Sequence, residues 1–580
     1  MPNKRSGVPE LVSSEKPASM ESPKGSNRRA FLGQVGAAAT LAAGALAAPS
    51  VASAAHTSES TDDPGPSNAT QNRINKAYHL RVSMAAQDRS VAYAKNANNG
   101  DDARYADKAG TFTKALPHDA YGRVNLTAYA SLKTALGSGK FSDFEDIILG
   151  GTRRLNGPQG GLAFDLEALD STQFGQPQVP PAPTLASDQS GTELLEHYWG
   201  ALLRDVPFTE YGSSSLASQA AAELGSQPSY FGPRTSSGQV TTDLLFRGSF
   251  PGETSGPYVS QFFIQPTMFG SQPLGQQQKT FVPNIDFGTG FNEWLDIQNG
   301  VPTGLETTND SQLRFPRNGR DFAAYTRVDV LYQAYFVAFL VLAGMGAPLN
   351  PGNPYNGSKV ENGFGTFGGP DFAGCFGEIA TKALNVVWWQ KWFVHMRLRP
   401  EAAGGIVQLL KTGQGNFTDA KLSNTILNSN GLQQSFAKYG SYLLPMAFPE
   451  GSPVHPAYPT GHGVVGGACI TLLKFTFDGG YVIPKPVVST PDGLSLVPYT
   501  GSDAGSLTVN GELNKLGHNV SFGHGIHAGI HWRSDTDTSL QLGEAVALSF
   551  LKDRARTCNE PFTIQLTKFD GTTATISNEE

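Results

Sequence analysis

Charge is scarce in this chain. Only 16% of its 580 residues are Asp, Glu, Lys or Arg, against roughly 25% in ordinary soluble domains, so Ser, Thr, Asn and Gln must carry much of the surface polarity. A basic excess is missing too. Formal charge is −7, and residues 1 to 55 hold six Lys/Arg against three Asp/Glu, which leaves 37 against 47, or −10, for the rest. That balance argues against nucleic acid as a partner. Cysteine is almost absent: three residues, Cys375, Cys469 and Cys558, are too few and odd in number for a disulfide framework. Cys469 lies in an apolar helical run and reads as a buried structural thiol rather than a nucleophile. Long apolar runs are missing as well. The most hydrophobic stretch, residues 321 to 346, is interrupted by Arg327, Asp329 and Gln333 and is too short to span a bilayer comfortably. It is expected as one buried central helix, with no stable membrane span.

Glycine and proline are plentiful, at 66 and 38 residues, and imply long ordered loops. Residues 156 to 318 are the clearest case, with short apolar periods such as GTELLEHYWGALLRDV between Gly, Pro, Gln and Ser. Residues 1 to 55 read as a twin-arginine (Tat-type) export signal: Arg28 and Arg29, then Phe31 and Leu32, an Ala/Gly/Leu run, and Ala52-Ser53-Ala54. That implies a periplasmic or extracellular bacterial enzyme. Residues 56 to 72 read as a disordered linker, with order expected from Arg73. The ordered part divides into an N-terminal helical half with long loops (73 to 350) and a C-terminal helical half (351 to 580). A helix from Glu378 to Arg397 is expected to end before Pro400, and FTIQLTKFDGTTATI is expected as a terminal β-hairpin with an Asp-Gly turn.

Histidine is the one sharply clustered residue. Seven of eleven (His395, His455, His462, His518, His524, His527 and His531) fall between residues 395 and 531. Two fixed cations stand beside them, Lys391 and Arg399. Arginine offers a planar fork of donors suited to tetrahedral oxyanions and lysine adds a point charge. The turn Thr460-Gly461-His462 opens an apolar stretch, so its backbone N–H groups at a helix start favour the same anion. Together these residues would hold phosphate or vanadate. If Lys391 and Arg399 share one helix, their eight-residue spacing puts them two turns apart and about 80° around it.

These residues resemble the vanadium-dependent haloperoxidases, most closely the red-algal and bacterial branch. The shared text runs in order through FTKALPHD, GLAFDLEALDS, NPYN, GFGTFGGP, KWFVHMRLRPEA, HPAYPTGH, DGLSLVPY, GELNKL and AGIHWRSD, covering residues 73 to 560. The resemblance implies a mainly α fold of two four-helix bundles sharing an active site, with long loops, kin to acid phosphatases of the phosphatidic-acid phosphatase type. It assigns vanadate binding to Lys391, Arg399, Thr460, Gly461, His462 and His531. His531 is the vanadium ligand, His462 the acid/base group, and His455, with His524 and His527, lies on the halide or substrate side. The implied reactants are hydrogen peroxide, halide and a small organic substrate, and the implied assembly is a homodimer or larger homo-oligomer.

Two departures stand against the family pattern. Its serine is Thr460 here, which keeps the hydroxyl. Its second arginine is absent: six residues before His531 stands Gly525, and alignment from GELNKL through SFG puts His524 there, with one extra residue before His531. A charge-assisted hydrogen bond contributes about 1.5 to 3 kcal/mol, so the loss weakens oxyanion binding about tenfold to a hundredfold. Two enzyme readings therefore stay open. One is hydrogen-peroxide-dependent halide oxidation and halogenation with vanadate. The other is a non-redox isomerase that rearranges an α-hydroxyketone in naphthoquinone meroterpenoid biosynthesis, with His462 and His531 as acid/base groups. Phosphate is a further occupant of the same pocket. A zinc site of His524, His527 and His531 with Asp535, spaced H-x2-H-x3-H, is a minor alternative. His395 and Arg533 read as supporting residues, and Trp388, Trp389 and Trp392 as core.

Overall fold

The computed structural model describes residues 68–579. The export-signal reading, and residues 56 to 67 of the expected linker, lie outside the described residues. Residues 68 to 72 do not continue that linker. They open a helix, Asn68–Ser90 (α1), because the polar sequence there holds no Pro or Gly to stop helical hydrogen bonding.

The fold is mainly α. Its principal helices are Asp188–Leu203 (α2), Gly319–Val328 (α3), Gln333–Gly344 (α4), Gly369–Trp389 (α5), Pro400–Lys411 (α6), Gly461–Thr476 (α7), Val509–Phe522 (α8) and Arg533–Thr557 (α9). Among the described residues, strands occur in three short antiparallel hairpins. The last, Thr563–Thr567 against Thr573–Ser577, is the expected terminal hairpin, and its turn carries Gly571 at φ 80°.

Every residue of α7 is buried, and α5, α8 and α9 pack around it as a four-helix bundle. Glycine makes the closest approach possible. A Cβ on Gly467 would sit 2.1 Å from the Leu540 carbonyl oxygen, and one on Gly543 would sit 2.1 Å from that of Val464. The α7/α9 crossing therefore brings backbone against backbone. On the far side α2 and α3 close on the turn that follows α8, and α6 packs on α2. The pocket lies where these two helical layers meet. The principal apolar core runs from Tyr105 to Ile576 and draws on residues from both sides of position 350.

Two helix expectations are corrected. Residues 321 to 346 do not form one helix: α3 ends at Val328 and α4 begins at Gln333, with 105° between them. The polar Asp329 stands at the break, where its buried carboxylate turns toward His462 of α7. No single described helix is long and apolar enough to cross a membrane, although this bent pair passes on length and composition together. Pro400 does not terminate a helix. It is the first residue of α6, where a missing N–H costs nothing.

Cys375, Cys469 and Cys558 are free, and burial raises all three thiols. That leaves Cys469 a structural residue of α7.

A buried ion cluster braces α8. His518 bonds Glu253 through Nδ1, and its Nε2 lies 2.9 Å from Asp537 Oδ1. Burial alone would depress this imidazole, but Glu253 and Asp537 override it and hold it up at about 9. Because its folded pKa exceeds the unfolded value of about 6.5, the stabilisation is fully present below about pH 6.5 and disappears as pH rises through about 9. Thermal unfolding across pH should accordingly show His518→Gln most destabilised at acidic pH, the gap to wild type closing above about pH 9.

Candidate active site

Lys391 leaves α5 in a π turn, Gln390–His395, closed by the Met396 N–H on the Lys391 carbonyl at 2.9 Å. Met396 takes a left-handed conformation (φ 49°), the chain bends, and Arg399 becomes the N-cap residue of α6. Lys391 and Arg399 are thus not two turns apart on one helix. They approach from the end of one helix and the start of the next.

Both cations are fully buried and neither has a carboxylate within ion-pair distance among the described residues. Lys391 Nζ donates to the carbonyls of Pro456 (2.8 Å) and Ala457 (2.7 Å). Arg399 Nε donates to the His455 carbonyl (2.8 Å), Nη1 to His531 Nε2 (2.9 Å) and the Ile530 carbonyl (3.2 Å), and Nη2 to His455 Nδ1 (3.0 Å). Burial, then the charge of Arg399, holds the Lys391 ammonium well below its ordinary value, and burial lowers Arg399 to about 9. Two adjacent buried cations are thus left with neutral partners only.

The remaining walls come from two later segments. Thr460 caps α7, and its Oγ1 is buried without a hydrogen-bond partner. Its N–H donates to Ser539 Oγ (2.7 Å), which fixes the turn. The first N–H groups of α7, at Gly461 and His462, have no intrahelical acceptor. His531 precedes α9, and its Nδ1–H donates to Asp535 Oδ2 (3.1 Å). Asp535 in turn accepts from Arg397 Nη1 (2.7 Å). That chain selects the tautomer with the lone pair on Nε2, facing Arg399. Burial, followed by Arg399 and Lys391, pushes His531 well below the ordinary imidazole range.

His462 Nε2 donates to Asp329 Oδ1 (3.0 Å), at the break between α3 and α4. Sequence reading missed Asp329 as a site residue, and the signal for it was an acid interrupting the most apolar stretch of the chain. Trp388 was also missed. It is not simply core, because its ring lies 4.9 Å from that of His455.

His524 enters the pocket and His527 does not. The His524 ring is 4.1 Å from His462 and 5.6 Å from His531, with Nδ1 buried and unpartnered. Residues Gly523–His527 form a second π turn, with the Ala528 N–H on the Gly523 carbonyl. A π turn takes up one residue more than an α turn. His527 points instead into a box of Phe208, Phe246 and Tyr258, whose hydroxyl meets its Nε2 at 2.9 Å. This corrects its expected place on the halide side and separates the zinc triad. Among the described residues no group of three His, Cys, Asp or Glu is arranged to hold a metal ion. His395 and Arg533 are supporting residues: His395 packs edge-on against Tyr458 at 4.6 Å, and Arg533 Nε donates to Glu196 (2.9 Å).

Exposure separates floor from mouth. Lys391, Arg399, Thr460 and His531 are at most 1% exposed, whereas His455, His462 and His524 keep 6 to 8%.

The chain is similar to known proteins along most of its length. A vanadium-dependent bromoperoxidase of Ascophyllum nodosum is 35% identical over 540 residues, covering 89% of this chain and 94% of that protein. The chain belongs to the vanadium-dependent haloperoxidase family. A second member, the vanadium-dependent bromoperoxidase of Corallina pilulifera, is 32% identical over 88% of the chain and all of its own length. The homohexameric second vanadate-dependent bromoperoxidase of A. nodosum superimposes with a TM-score of 0.82 at 30% identity, covering 93% of this chain and 95% of that one. No protein-family model matches the chain.

The haloperoxidase pocket can be probed without any turnover. Inorganic phosphate, titrated calorimetrically, should bind wild type and lose about tenfold to a hundredfold in affinity in Lys391→Met or Arg399→Leu, the loss of one charge-assisted contact.

Proposed function

We propose that the protein oxidises halide with hydrogen peroxide, using vanadate held by Lys391, Arg399, Thr460, Gly461, His462 and His531, and halogenates a small organic substrate. One observation carries the reading: two buried cations have no carboxylate in ion-pair range, and Arg399 meets the imidazole of His531, while Thr460 at the start of α7 keeps a buried, unpartnered hydroxyl. These donors fit a tetrahedral oxyanion, and His531 Nε2, which now accepts from Arg399 Nη1, would be the ligand to its central atom once that guanidinium turned to the anion's oxygens. Vanadate bound there supplies the Lewis acid that activates peroxide toward halide.

The chain's own groups supply binding and proton transfer. Lys391 and Arg399 neutralise oxyanion charge, and the Thr460 hydroxyl and the N–H groups of Gly461 and His462 hold its oxygens. Asp535 fixes the His531 tautomer through Nδ1. Asp329 holds the proton on His462 Nε2, which leaves Nδ1 to take a proton from incoming peroxide and return it to the departing oxygen. His455 and His524, at the mouth, line the approach of halide and organic substrate. Phosphate competes for the same donors. The protein acts as a homo-oligomer, in keeping with the hexameric neighbour, and its twin-arginine motif supports export in the folded state.

A second reading rests on the absent second arginine, in whose place stands Gly525 or His524, neither of them a permanent cation. An isomerase acting on an α-hydroxyketone would use the His462–Asp329 pair for proton transfer and the two cations to polarise carbonyl oxygens. Vanadate reconstitution decides between them. Stoichiometric vanadium with bromide oxidation is the expected result, and a protein that binds no vanadium yet isomerises such a ketone would overturn the first reading.

His524 also sets a pH dependence. Burial and the nearby His462, Arg399 and Lys391 keep this imidazole well below its ordinary value, so it is neutral at pH 7, whereas a bound anion favours its protonated form. Vanadate affinity should therefore rise as pH falls below neutrality, until the imidazole is protonated in the empty pocket as well. His524→Arg should tighten binding about tenfold and flatten that slope, read from apparent Kd by reconstitution titration.

A further inference from the structure

Helix α1 is the exception in a protein that buries its helices. None of its 23 residues is buried. Ala77, Leu80 and Met84 form one half-exposed stripe. The adjoining stripe, Ile74, Tyr78 and Val82, follows four-residue spacing and is 52, 61 and 49% exposed. A helix about 34 Å long with this polar composition is marginal on its own in water, and ridges at four-residue spacing are those that pack into a groove.

A second uncovered patch lies beside the end of α1. In the GLAFDLEALDS stretch, Phe164 and Leu166 are 86 and 100% exposed and alternate with Asp165 and Glu167. Both patches hang from the same turn of α9. Arg556 donates to Gln87 Oε1 (2.8 Å) and Ser83 Oγ (3.0 Å) of α1, and Asp553 Oδ2 accepts from the Ala168 N–H (2.6 Å). Gln173 Nε2 joins them by donating to the Asp88 carbonyl (2.7 Å). Among the described residues the two patches stand side by side, and none of those residues covers either of them. Their net charges are opposite: α1 carries Arg73, Lys76, Arg81 and Arg89 against Asp88 alone, and the loop carries Asp165, Glu167 and Asp170, all half-buried, the first two beside Lys382. That basic excess disfavours pairing α1 with a second α1, and the −7 charge of the whole chain disfavours an anionic lipid surface.

We propose that α1 docks on the Phe164–Leu166 loop of a second copy of this chain, reciprocally about a two-fold axis. The inference rests on the homo-oligomer named under the proposed function and identifies the contact that builds it. Apolar anchors Ile74, Tyr78 and Val82 meet Phe164 and Leu166, and Arg81 and its neighbours meet Asp165 and Glu167.

Light scattering on the full chain, with circular dichroism to verify folding, tests it. Tyr78→Asp/Val82→Asp and Phe164→Asp/Leu166→Asp should each weaken association about tenfold or more with helicity retained. Arg81→Glu should weaken it too, and Glu167→Arg in the same chain should restore it. Oligomers unchanged in both double variants overturn the contact while leaving the oligomer itself standing. A monomeric wild type overturns both. Co-sedimentation with phosphatidylserine vesicles that is abolished by Tyr78→Asp/Val82→Asp, with particle mass unchanged, would assign α1 to a membrane surface and overturn the proposal.

Discussion

Two positive charges at the floor of the pocket are solvated by the protein backbone and by imidazole, and everything else in the site is arranged around that fact. Removing an ammonium and a guanidinium from water costs several kcal/mol each unless their donors find good acceptors. Here the carbonyls of His455, Pro456, Ala457 and Ile530 take that role. A carboxylate would solvate them better, but it would also cancel the charge that an oxyanion needs. Carbonyl solvation holds the cations in place and keeps them available.

The same bonds define the fold around the pocket. Lys391 ties the end of α5 to the turn before α7, and Arg399 ties the start of α6 to that turn and to the segment before α9. Acids are present close by, one layer out. Asp535 and Glu193 both face Arg397, and burial, against the pull of Arg397, raises Glu193 to about 6. Lys114, from the FTKALPHD stretch, is buried against Glu401 at 2.5 Å and also donates to the Ser452 carbonyl. That links the N-terminal part of the chain to α6 and to the loop that carries His455.

Much of this was legible from residue types. Lysine, arginine and the Thr-Gly-His turn declare an anion site by chemistry alone, and α7 was readable as the apolar run that such a turn opens. The terminal hairpin was legible from alternation and an Asp-Gly pair. What escaped was geometry that no residue type encodes. Met396 adopts a left-handed backbone without being glycine, so the bend between Lys391 and Arg399 left no mark in the text. Asp329 belongs to His462 although 133 positions separate them, and only its poor fit within an apolar helix hinted at another employment. His527 has the same chemistry as His524 and lies three residues away, yet it faces an aromatic box. Local spacing decides between them only once the turn type is known.

That turn type has a consequence of its own. Where the π turn at Gly523–His527 holds one residue more than an α-helix would, the identity of the side chain presented to the pocket depends on the local count of residues and not only on substitution. Removing a single residue there would let ordinary helical bonding resume and swing the following positions by about 100°, with Gly525 and Ile526 competing for the space that His524 now fills. In this scaffold a change of length can thus alter which side chain lines the pocket without touching Lys391, Arg399 or Thr460.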